Sequence, residues 1–251
     1  MDAFPLDLPA LKKYYFHPQK DELINPFWVN SGNKRLACYY HKKHPDAKTI
    51  LHFHGNGETV GEFIPYFIPL IDEMGFNCFF AEYRGYGMST GTPGFLGILK
   101  DVEAVINSID VPPERLILYG RSLGTLFALH GVYLFPNISG LILESGIASL
   151  AEWDVFKDTM EQPDPCLKDV DKNKLQKYFN NELKLHNYNG ATLIMHCLYD
   201  SIVPVTNAHK LYEWAREPKT MTIFEEGEHS DYIITNLPEY RDTVRDFIDG
   251  L

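Results

Sequence analysis

Short apolar runs alternate along the sequence with longer segments whose apolar residues recur at helical spacing, and this alternation limits the folds that the chain can adopt. Runs such as Cys78-Phe79-Phe80-Ala81 contain almost no polar residues, as is typical of strands in a parallel sheet that helices cover on both faces. Strands are predicted at residues 34–40, 49–54, 77–82, 115–120, 140–144, 191–197 and 220–224. Helices are predicted at residues 58–73, 97–109, 123–134, 205–216 and 237–249. The pattern predicts an α/β fold with a mostly parallel central sheet flanked by helices.

The length of 251 residues suits a single α/β domain spanning residues 1–251, because a chain of this size buries about 70% or more of its unfolded surface in one core. The sequence contains no repeat, low-complexity tract or long linker. Residues 148–189 are richer in charged and amide side chains and lie between two predicted strands. Roughly forty residues are too many for a connection without structure of its own, so we predict a short helical cap there.

Three apolar residues of the predicted cap, Trp153, Phe156 and Met160, fall at helical spacing and are candidates for binding substrate. The alternative is that this face only packs on the body of the domain. Residues 163–165, with two prolines, are predicted to end the first cap helix, and residues 171–185 are predicted to form a second, polar one.

The pentapeptide Gly120-Arg121-Ser122-Leu123-Gly124 lies between a predicted strand and a predicted helix. A serine that attacks a carbonyl must project from a sharp turn, and the two glycines leave the backbone room for one. In this G-x-S-x-G pattern the amide that follows the serine points at the developing oxyanion. Ser122 is therefore the candidate nucleophile, and the amide of Leu123 is a candidate oxyanion-hole donor.

A serine hydroxyl needs a base to activate it and a third group to orient that base. Asp200 follows the predicted strand at 191–197, and His229 lies in the polar loop after the predicted strand at 220–224. Both positions are therefore at the carboxyl ends of strands, as is the serine. Ser122, Asp200 and His229 are the candidate catalytic triad.

Three other residues lie at or near predicted strand ends and compete for these roles. His54 and His196 are the alternative bases, and Glu144 is the alternative acid. His196 lies within a strand of alternating apolar residues, which favours a buried supporting role. His54 begins a glycine-rich loop, which favours a role in shaping that loop.

The second donor of an oxyanion hole is expected from the end of an earlier strand. One predicted strand leads into His54-Gly55-Asn56-Gly57, where the glycines allow the amide of Asn56 to turn towards the serine. An Asn-Gly pair is also typical of a hairpin turn. The next segment is predicted to be helical rather than a returning strand, despite Pro65 and Pro69. We therefore assign the second donor to the amide of Asn56.

Together these motifs resemble the α/β hydrolases, and more closely their esterase, lipase and peptidase-like members with a short cap. The resemblance rests on the segments 54–57, 82–89, 120–124, 200–204 and 227–229. It implies the chain order nucleophile, acid, histidine, which the candidate triad follows. The family usually has aspartate where this chain has Glu82, a difference expected to affect loop packing and not the triad. Arg84 is expected to be a structural ion-pair or hydrogen-bond partner in the same region, since arginine can donate to several loop carbonyls at once.

Acidic residues exceed basic ones by eleven, since 34 Asp and Glu face 23 Lys and Arg. This balance argues against a nucleic-acid partner, because phosphate binding requires concentrated positive charge. The cysteines, Cys38, Cys78, Cys166 and Cys197, show no close paired spacing, so neither a disulfide framework nor a zinc site is expected. The sequence shows no signal peptide and no apolar run of transmembrane length, and a cytoplasmic location is expected.

The motifs predict a serine hydrolase that cleaves carboxylic esters or thioesters of small to medium acyl groups through a covalent acyl-enzyme, without a cofactor. The serine argues against the family's dehalogenases, epoxide hydrolases and dienelactone hydrolases, whose nucleophiles are aspartate or cysteine. A peptidase or amidase with the same triad is the alternative reaction, in which Glu152 or Asp154 of the cap would bind the substrate's amino terminus. A non-catalytic binding protein on a hydrolase scaffold is disfavoured, because all three triad positions are chemically intact.

Overall fold

A computed structural model of the chain describes residues 15–165, 167 and 172–251, without the side chains of residues 172–175. The strands are β1 (Phe27–Ser31), β2 (Lys34–His41), β3 (Thr49–Phe53), β4 (Asn77–Ala81), β5 (Leu116–Arg121), β6 (Gly140–Glu144), β7 (Ala191–Cys197) and β8 (Lys219–Phe224). The helices are α1 (Val60–Met74), α2 (Phe95–Ser108), α3 (Gly124–Leu134), α4 (Asp154–Met160), α5 (Lys172–Phe179), α6 (Asn181–His186), α7 (Thr206–Trp214), α8 (Tyr232–Thr235) and α9 (Leu237–Asp249). From β3 onwards, each strand but the last is thus followed by a helix and then by the next strand.

The eight strands form one sheet in the order β1-β2-β4-β3-β5-β6-β7-β8. Strands β3 to β8 pair in parallel, and β1 and β2 add an antiparallel edge. The predicted α/β fold with a mostly parallel sheet is confirmed. Strand β1 is absent from the sequence-based prediction, because Asn30 and Ser31 leave this edge strand only a short apolar run.

Two apolar layers cover the sheet, because successive side chains of a strand point to opposite faces. Ile50, Ile117 and Ile142 pack with helices α1 and α9 on one face. Leu51 and Leu118 pack with α2, α3 and α7 on the other face, which also receives the apolar side chains of the cap. Since both faces are covered, the loops at the carboxyl ends of the strands are where polar functional groups can gather.

Helix α1 contains Pro65 and Pro69 and is nevertheless continuous from Val60 to Met74. The carboxylate of Glu62 accepts a hydrogen bond from the amide of Thr59 at 2.9 Å and so caps its first turn. Burial of one face of the helix against the sheet offsets the backbone hydrogen bonds that the prolines remove.

The described part of residues 148–189 contains three short α-helices, α4, α5 and α6, where two helices were predicted. The predicted helix at 171–185 is divided at Asn180, whose side-chain oxygen accepts a hydrogen bond from the amide of Leu183 at 3.0 Å. An asparagine in this position begins a new helix, since it satisfies an amide that has no partner within the helix. Residue 171 itself lies outside the described residues.

The described cysteines, Cys38, Cys78 and Cys197, are buried and free, and Cys166 lies outside the described residues. Burial raises the pKa of the Cys78 thiol well above its ordinary value, so this side chain behaves as a small apolar group. Among the residues that the structure describes, no helix is both long enough and apolar enough to cross a membrane.

The turn between β5 and α3 brings two backbone segments into direct contact. A Cβ atom on Gly124 would lie 2.1 Å from the carbonyl oxygen of Phe53, and one on Gly120 would lie 2.5 Å from the Cα atom of Thr125. These distances are far shorter than van der Waals contact, so both positions require glycine. Gly124 therefore allows the start of α3 to lie against the carboxyl end of β3, and Gly120 allows β5 to lie against the same helix start.

Replacement of Gly124 by alanine is expected to destabilise the protein by about 3 kcal/mol, because the added methyl group meets backbone atoms that cannot move independently. Gly32→Ala is the matched control: its φ is +58° and nothing lies within 4 Å of its Cβ position, so only a conformational cost is expected. That cost is about 1 kcal/mol. Thermal unfolding followed by circular dichroism measures both, and equal losses in Tm would refute the close approach as the constraint.

Candidate active site

Ser122 occupies the tip of the turn between β5 and α3 with a φ of 50°, in the left-handed region that residues other than glycine seldom adopt. Its amide donates to the carbonyl of Glu144 at 2.8 Å. Its own carbonyl accepts from the amide and the hydroxyl of Thr125, at 3.1 and 2.6 Å. These hydrogen bonds hold the serine in a strained conformation, as is common at functional sites.

The three candidate triad residues lie in direct contact. Nε2 of His229 is 3.0 Å from Oγ of Ser122, and Nδ1 of His229 is 2.7 Å from Oδ2 of Asp200. Because an ionised carboxylate can only accept a hydrogen bond, Nδ1 is assigned the proton, which leaves Nε2 able to accept the hydroxyl proton. The contacts join the loops that follow β5, β7 and β8, whose carboxyl ends meet at one edge of the sheet.

Asp200 is fixed by its own loop. Its Oδ1 atom accepts hydrogen bonds from the amides of Ile202 and Val203 at 3.0 and 2.7 Å. Burial alone would raise the pKa of Asp200, but the hydrogen bond and charge of His229, helped by the Val203 amide, hold this pKa below its ordinary value. The carboxyl group therefore stays ionised and can stabilise a positive charge on the histidine.

His196 lies beside the acid and not between the acid and the serine. Its Nε2 atom donates to the carbonyl of Val203 at 2.7 Å and lies 3.5 Å from Oδ2 of Asp200. Burial lowers the pKa of His196, which favours the neutral ring. The side chain thus supports the loop that carries the acid.

Glu144, the alternative acid, lies in a buried polar cluster beneath the turn. The hydroxyls of Tyr119 and Tyr240 donate to its Oε2 atom, and Nε of Arg121 lies 3.0 Å from its Oε1 atom. Burial raises the pKa of Glu144 above its ordinary value. It is Asp200, and not Glu144, that hydrogen-bonds to the ring of His229.

The loop at residues 54–57 lies against the start of α3, and its conformation is held by side chains. The side-chain oxygen of Asn56 accepts hydrogen bonds from the amide of His17 at 3.1 Å and from the hydroxyl of Tyr86 at 2.9 Å. Within residues 15–165, 167 and 172–251, neither the amide of Asn56 nor that of Leu123 donates to a protein acceptor. Both candidate oxyanion donors are therefore without an internal partner.

His54 and Glu82 form a buried ion pair under this loop. Nε2 of His54 is 2.8 Å from Oε1 of Glu82, and Nδ1 donates to the carbonyl of Gly55 at 2.8 Å. Burial would lower the pKa of His54, but the charge and hydrogen bond of Glu82 raise it above its ordinary value. The carboxylate also accepts from the amides of Val60 and Tyr83 at 3.1 and 2.9 Å. Both ring nitrogens thus face acceptors, as in a protonated histidine.

Glu82, which stands where the family usually has aspartate, therefore affects more than the loop after β4. Through His54, the longer side chain of Glu82 also supports the loop that carries Asn56. Arg84 behaves as expected, because its Nε and Nη2 atoms lie 2.6 and 2.5 Å from the carboxylate of Asp101.

The candidate substrate-binding residues of the cap are mostly buried. The indole of Trp153 donates to the carbonyl of Ile202 at 3.0 Å, which places it beside the loop of the acid. Phe156 stacks on Tyr15 with ring centroids 5.2 Å apart, and Met160 is partly buried against the same core. The cap face therefore packs on the body, and Trp153 contacts the loop that carries Asp200.

Arg121 has no role in the sequence-based predictions, although it is the second residue of the G-x-S-x-G pattern. The structure buries its guanidinium between the carboxylates of Glu58 and Glu144 and the carbonyl of His229. A signal was available, because an arginine at the end of an apolar strand requires acceptors around it. Its partners are distant in sequence and could not be identified from that signal.

Several known proteins are similar to this chain in sequence. The family model described as "Serine aminopeptidase, S33" matches residues 44–168, which include Ser122 but neither Asp200 nor His229. The uncharacterized protein YfhR of Escherichia coli K12 is 31% identical over 208 residues, or 80% of this chain and 69% of that protein. The human alpha/beta hydrolase domain-containing protein 17B is 26% identical over 239 residues, or 93% of this chain and 78% of that protein.

Solved structures of known proteins share the fold. The esterase Pf2001 of Pyrococcus furiosus superposes with a TM-score of 0.73 at 16% identity, covering 94% of this chain and 96% of that chain. The monoacylglycerol lipase of Paleococcus ferrophilus superposes with a TM-score of 0.64 at 17% identity, covering 85% of this chain and 98% of that chain. Similarities at this level of identity establish the architecture alone.

The His54–Glu82 pair predicts how stability depends on pH. Because folding raises the pKa of His54, its contribution is fully present below the unfolded value of 6.5 and is lost as pH rises through the folded value. Glu82→Gln should therefore lower stability by about 2 kcal/mol near pH 6, and by clearly less at alkaline pH. Thermal unfolding of both proteins across this range measures the gap in Tm.

Asp101→Asn is the matched control for this experiment, because it breaks another largely buried ion pair, Arg84–Asp101, which contains no histidine. Its loss of Tm is expected to be constant with pH. A Glu82→Gln deficit that is equally constant would contradict a charged His54.

Proposed function

Because this chain belongs to the α/β-hydrolase superfamily, we propose that it is a serine hydrolase that cleaves carboxylic esters or thioesters of small to medium acyl groups. The observation that carries the proposal is the continuous contact from Asp200 through His229 to Ser122, at 2.7 and 3.0 Å. A serine with a base on one side and an oriented acid behind that base is the arrangement that generates a nucleophile at neutral pH.

In the acylation step, His229 accepts the hydroxyl proton through Nε2 while Oγ of Ser122 attacks the carbonyl carbon of the substrate. Asp200, held ionised by its surroundings, stabilises the imidazolium that forms. The imidazolium then gives its proton to the leaving alcohol or thiol, and the acyl group remains on the serine. Water attacks this acyl-enzyme with His229 again acting as the base, and the acid product leaves.

The amides of Asn56 and Leu123 are proposed to bind the oxyanion of both tetrahedral intermediates. Two features support this role: both amides lack a protein acceptor among the described residues, and the Asn56 side chain is tied to His17 and Tyr86. A donor that is fixed before the reaction stabilises the developing charge without reorganising.

Peptide-bond cleavage is the second candidate, and the description of the matched family model favours it. An aminopeptidase needs a carboxylate that is free to bind the ammonium group of its substrate. The candidate carboxylates are already paired, Glu152 with Lys210 at 2.7 Å and Asp154 with Lys157 at 2.8 Å. This pairing supports ester or thioester cleavage over aminopeptidase activity.

The reaction can be tested with a panel of p-nitrophenyl esters, acyl thioesters and aminoacyl anilides, together with a fluorophosphonate probe. Ser122→Ala is expected to lower kcat by about a million-fold and to prevent labelling by the probe, because the nucleophile is lost. An unlabelled but folded wild-type protein would point to a non-catalytic binding protein. Faster turnover of anilides than of esters would favour the peptidase.

The acid is tested separately, by comparing two carboxylates. Asp200→Asn is expected to lower kcat by about ten-thousand-fold with little change in KM, because the amide favours the wrong tautomer of His229. Glu144→Gln should lower kcat far less, since Glu144 does not contact the histidine ring. The reverse order of effects would move the acid to the end of β6.

The role of the cap is tested by its selectivity. If Trp153 and Phe156 line the acyl pocket, their joint replacement by alanine should lower kcat/KM for acyl chains of about six to eight carbons, relative to acetate, by about ten-fold or more. Val155→Ala is the control, because it lies on the same helix with an exposed side chain. An unchanged chain-length profile in a folded double variant would show that this face only packs on the body.

A further inference from the structure

Arg121 contacts groups from three other parts of the chain. Its Nη1 atom donates to the carboxylate of Glu58, its Nη2 atom donates to the carbonyl of His229 at 3.0 Å, and its Nε atom lies 3.0 Å from Oε1 of Glu144. The residue is 5% exposed. A planar guanidinium with several fixed donors can hydrogen-bond to Glu58 and to the His229 carbonyl while it also pairs with the charge of Glu144.

The contact with Glu58 extends to the loop of the candidate oxyanion hole. The second carboxylate oxygen of Glu58 accepts a hydrogen bond from the amide of Gly55 at 2.6 Å. A Cβ atom on Gly55 would lie 2.8 Å from that oxygen and 3.0 Å from Nη1 of Arg121. The loop is therefore packed directly on the ion pair, one residue before Asn56.

We propose that Arg121 is a positioning residue that sets the spacing between the nucleophile, the oxyanion loop and the catalytic histidine. It is joined to Ser122 by the chain, to the loop through Glu58, and to the histidine through the His229 carbonyl. The proposal rests on the proposed function, since it assigns these three groups to one reaction. Displacement of reacting groups by about 1 Å is enough to lower rates by about a hundred-fold. A residue that holds the serine, the loop and the histidine in place is therefore expected to affect turnover directly.

Arg121 keeps its positive charge across the pH range of the assays. Burial opposes the charge, but the carboxylates of Glu58 and Glu144 outweigh this effect and raise the pKa of Arg121. The groups that face the guanidinium are these carboxylates, the carbonyl of His229, and the nearby hydroxyls of Tyr119 and Tyr232. Loss of charge from Arg121 therefore cannot account for a change in activity across the pH range of the assays.

The alternative is that Arg121 contributes only to stability, and a matched pair of variants separates the two roles. Arg121→Gln removes the three-way contact. Arg84→Gln removes the similarly buried Arg84–Asp101 ion pair, which joins the loop after β4 to helix α2. Both variants are expected to lose Tm. Only Arg121→Gln should lower kcat, by about a hundred-fold with KM nearly unchanged, when both are assayed well below their Tm.

Two further variants test the geometry of the contact. Arg121→Lys keeps the positive charge but cannot reach all three acceptors, so it should recover stability and leave kcat low. Glu58→Gln should also lower kcat, and adding it to Arg121→Gln should lower kcat by much less than the product of the two effects. These variants also decide the question if Arg121→Gln does not fold. Full activity of folded Arg121→Lys and Glu58→Gln would overturn the proposal.

A second readout does not depend on turnover. The imidazole NMR signals of His229, assigned by comparison with His229→Asn, should shift or broaden in Arg121→Gln and stay unchanged in Arg84→Gln. If wild-type protein hydrolyses no substrate and is not labelled at Ser122, the proposed function fails, and these signals alone judge the positioning role. If wild-type protein is active and Arg121→Gln matches Arg84→Gln in kcat and in the His229 signals, the positioning role fails.

Discussion

The parallel pairing of β3, β5, β6, β7 and β8 is the constraint on which the rest of the structure depends. Parallel strands bring all their carboxyl ends to one edge of the sheet, so loops that are far apart in sequence meet there. The serine, the acid and the histidine each follow one of these strands. The two apolar layers fix the register of the strands, and they thereby fix the distances between the three loops.

Beneath this edge the structure places charged groups where apolar side chains would be expected. Arg121 and Glu144 are buried under the turn of Ser122, and His54 and Glu82 are buried under the loop of Asn56. Buried ion pairs contribute little net stability, because the charges lose their hydration. Their directional contacts, however, hold loop backbones in one arrangement. The ion pairs thus fix the positions of the loops more precisely than the apolar core alone does.

The elements with local signals could be predicted from the sequence, and those that depend on distant partners could not. Apolar runs identify the parallel strands, and the G-x-S-x-G pattern identifies the turn of Ser122, which the structure brings into contact with His229. The catalytic roles stay predictions. Strand β1 escapes prediction because an edge strand needs few apolar residues. The division of the cap helix depends on Asn180, a single capping residue.

Within the site, the partners of Arg121 and Glu82 also could not be predicted from the sequence. Each is a charged residue beside an apolar strand, which indicates burial with a partner, but the partner's identity depends on the fold. Glu58 lies 63 positions from Arg121, and His54 lies 28 positions from Glu82. Only the packed structure selects these partners from the many oppositely charged residues of an acidic chain.

At Ser122, the left-handed backbone conformation brings the proposed activity into conflict with the stability of the fold. A glycine would adopt this conformation at no steric cost, so the fold itself favours a residue without a side chain at the position of the candidate nucleophile. Selection for thermal stability alone would therefore replace this serine by glycine. The presence of a serine there agrees with the proposed role in catalysis, and the surrounding hydrogen bonds allow the fold to tolerate it.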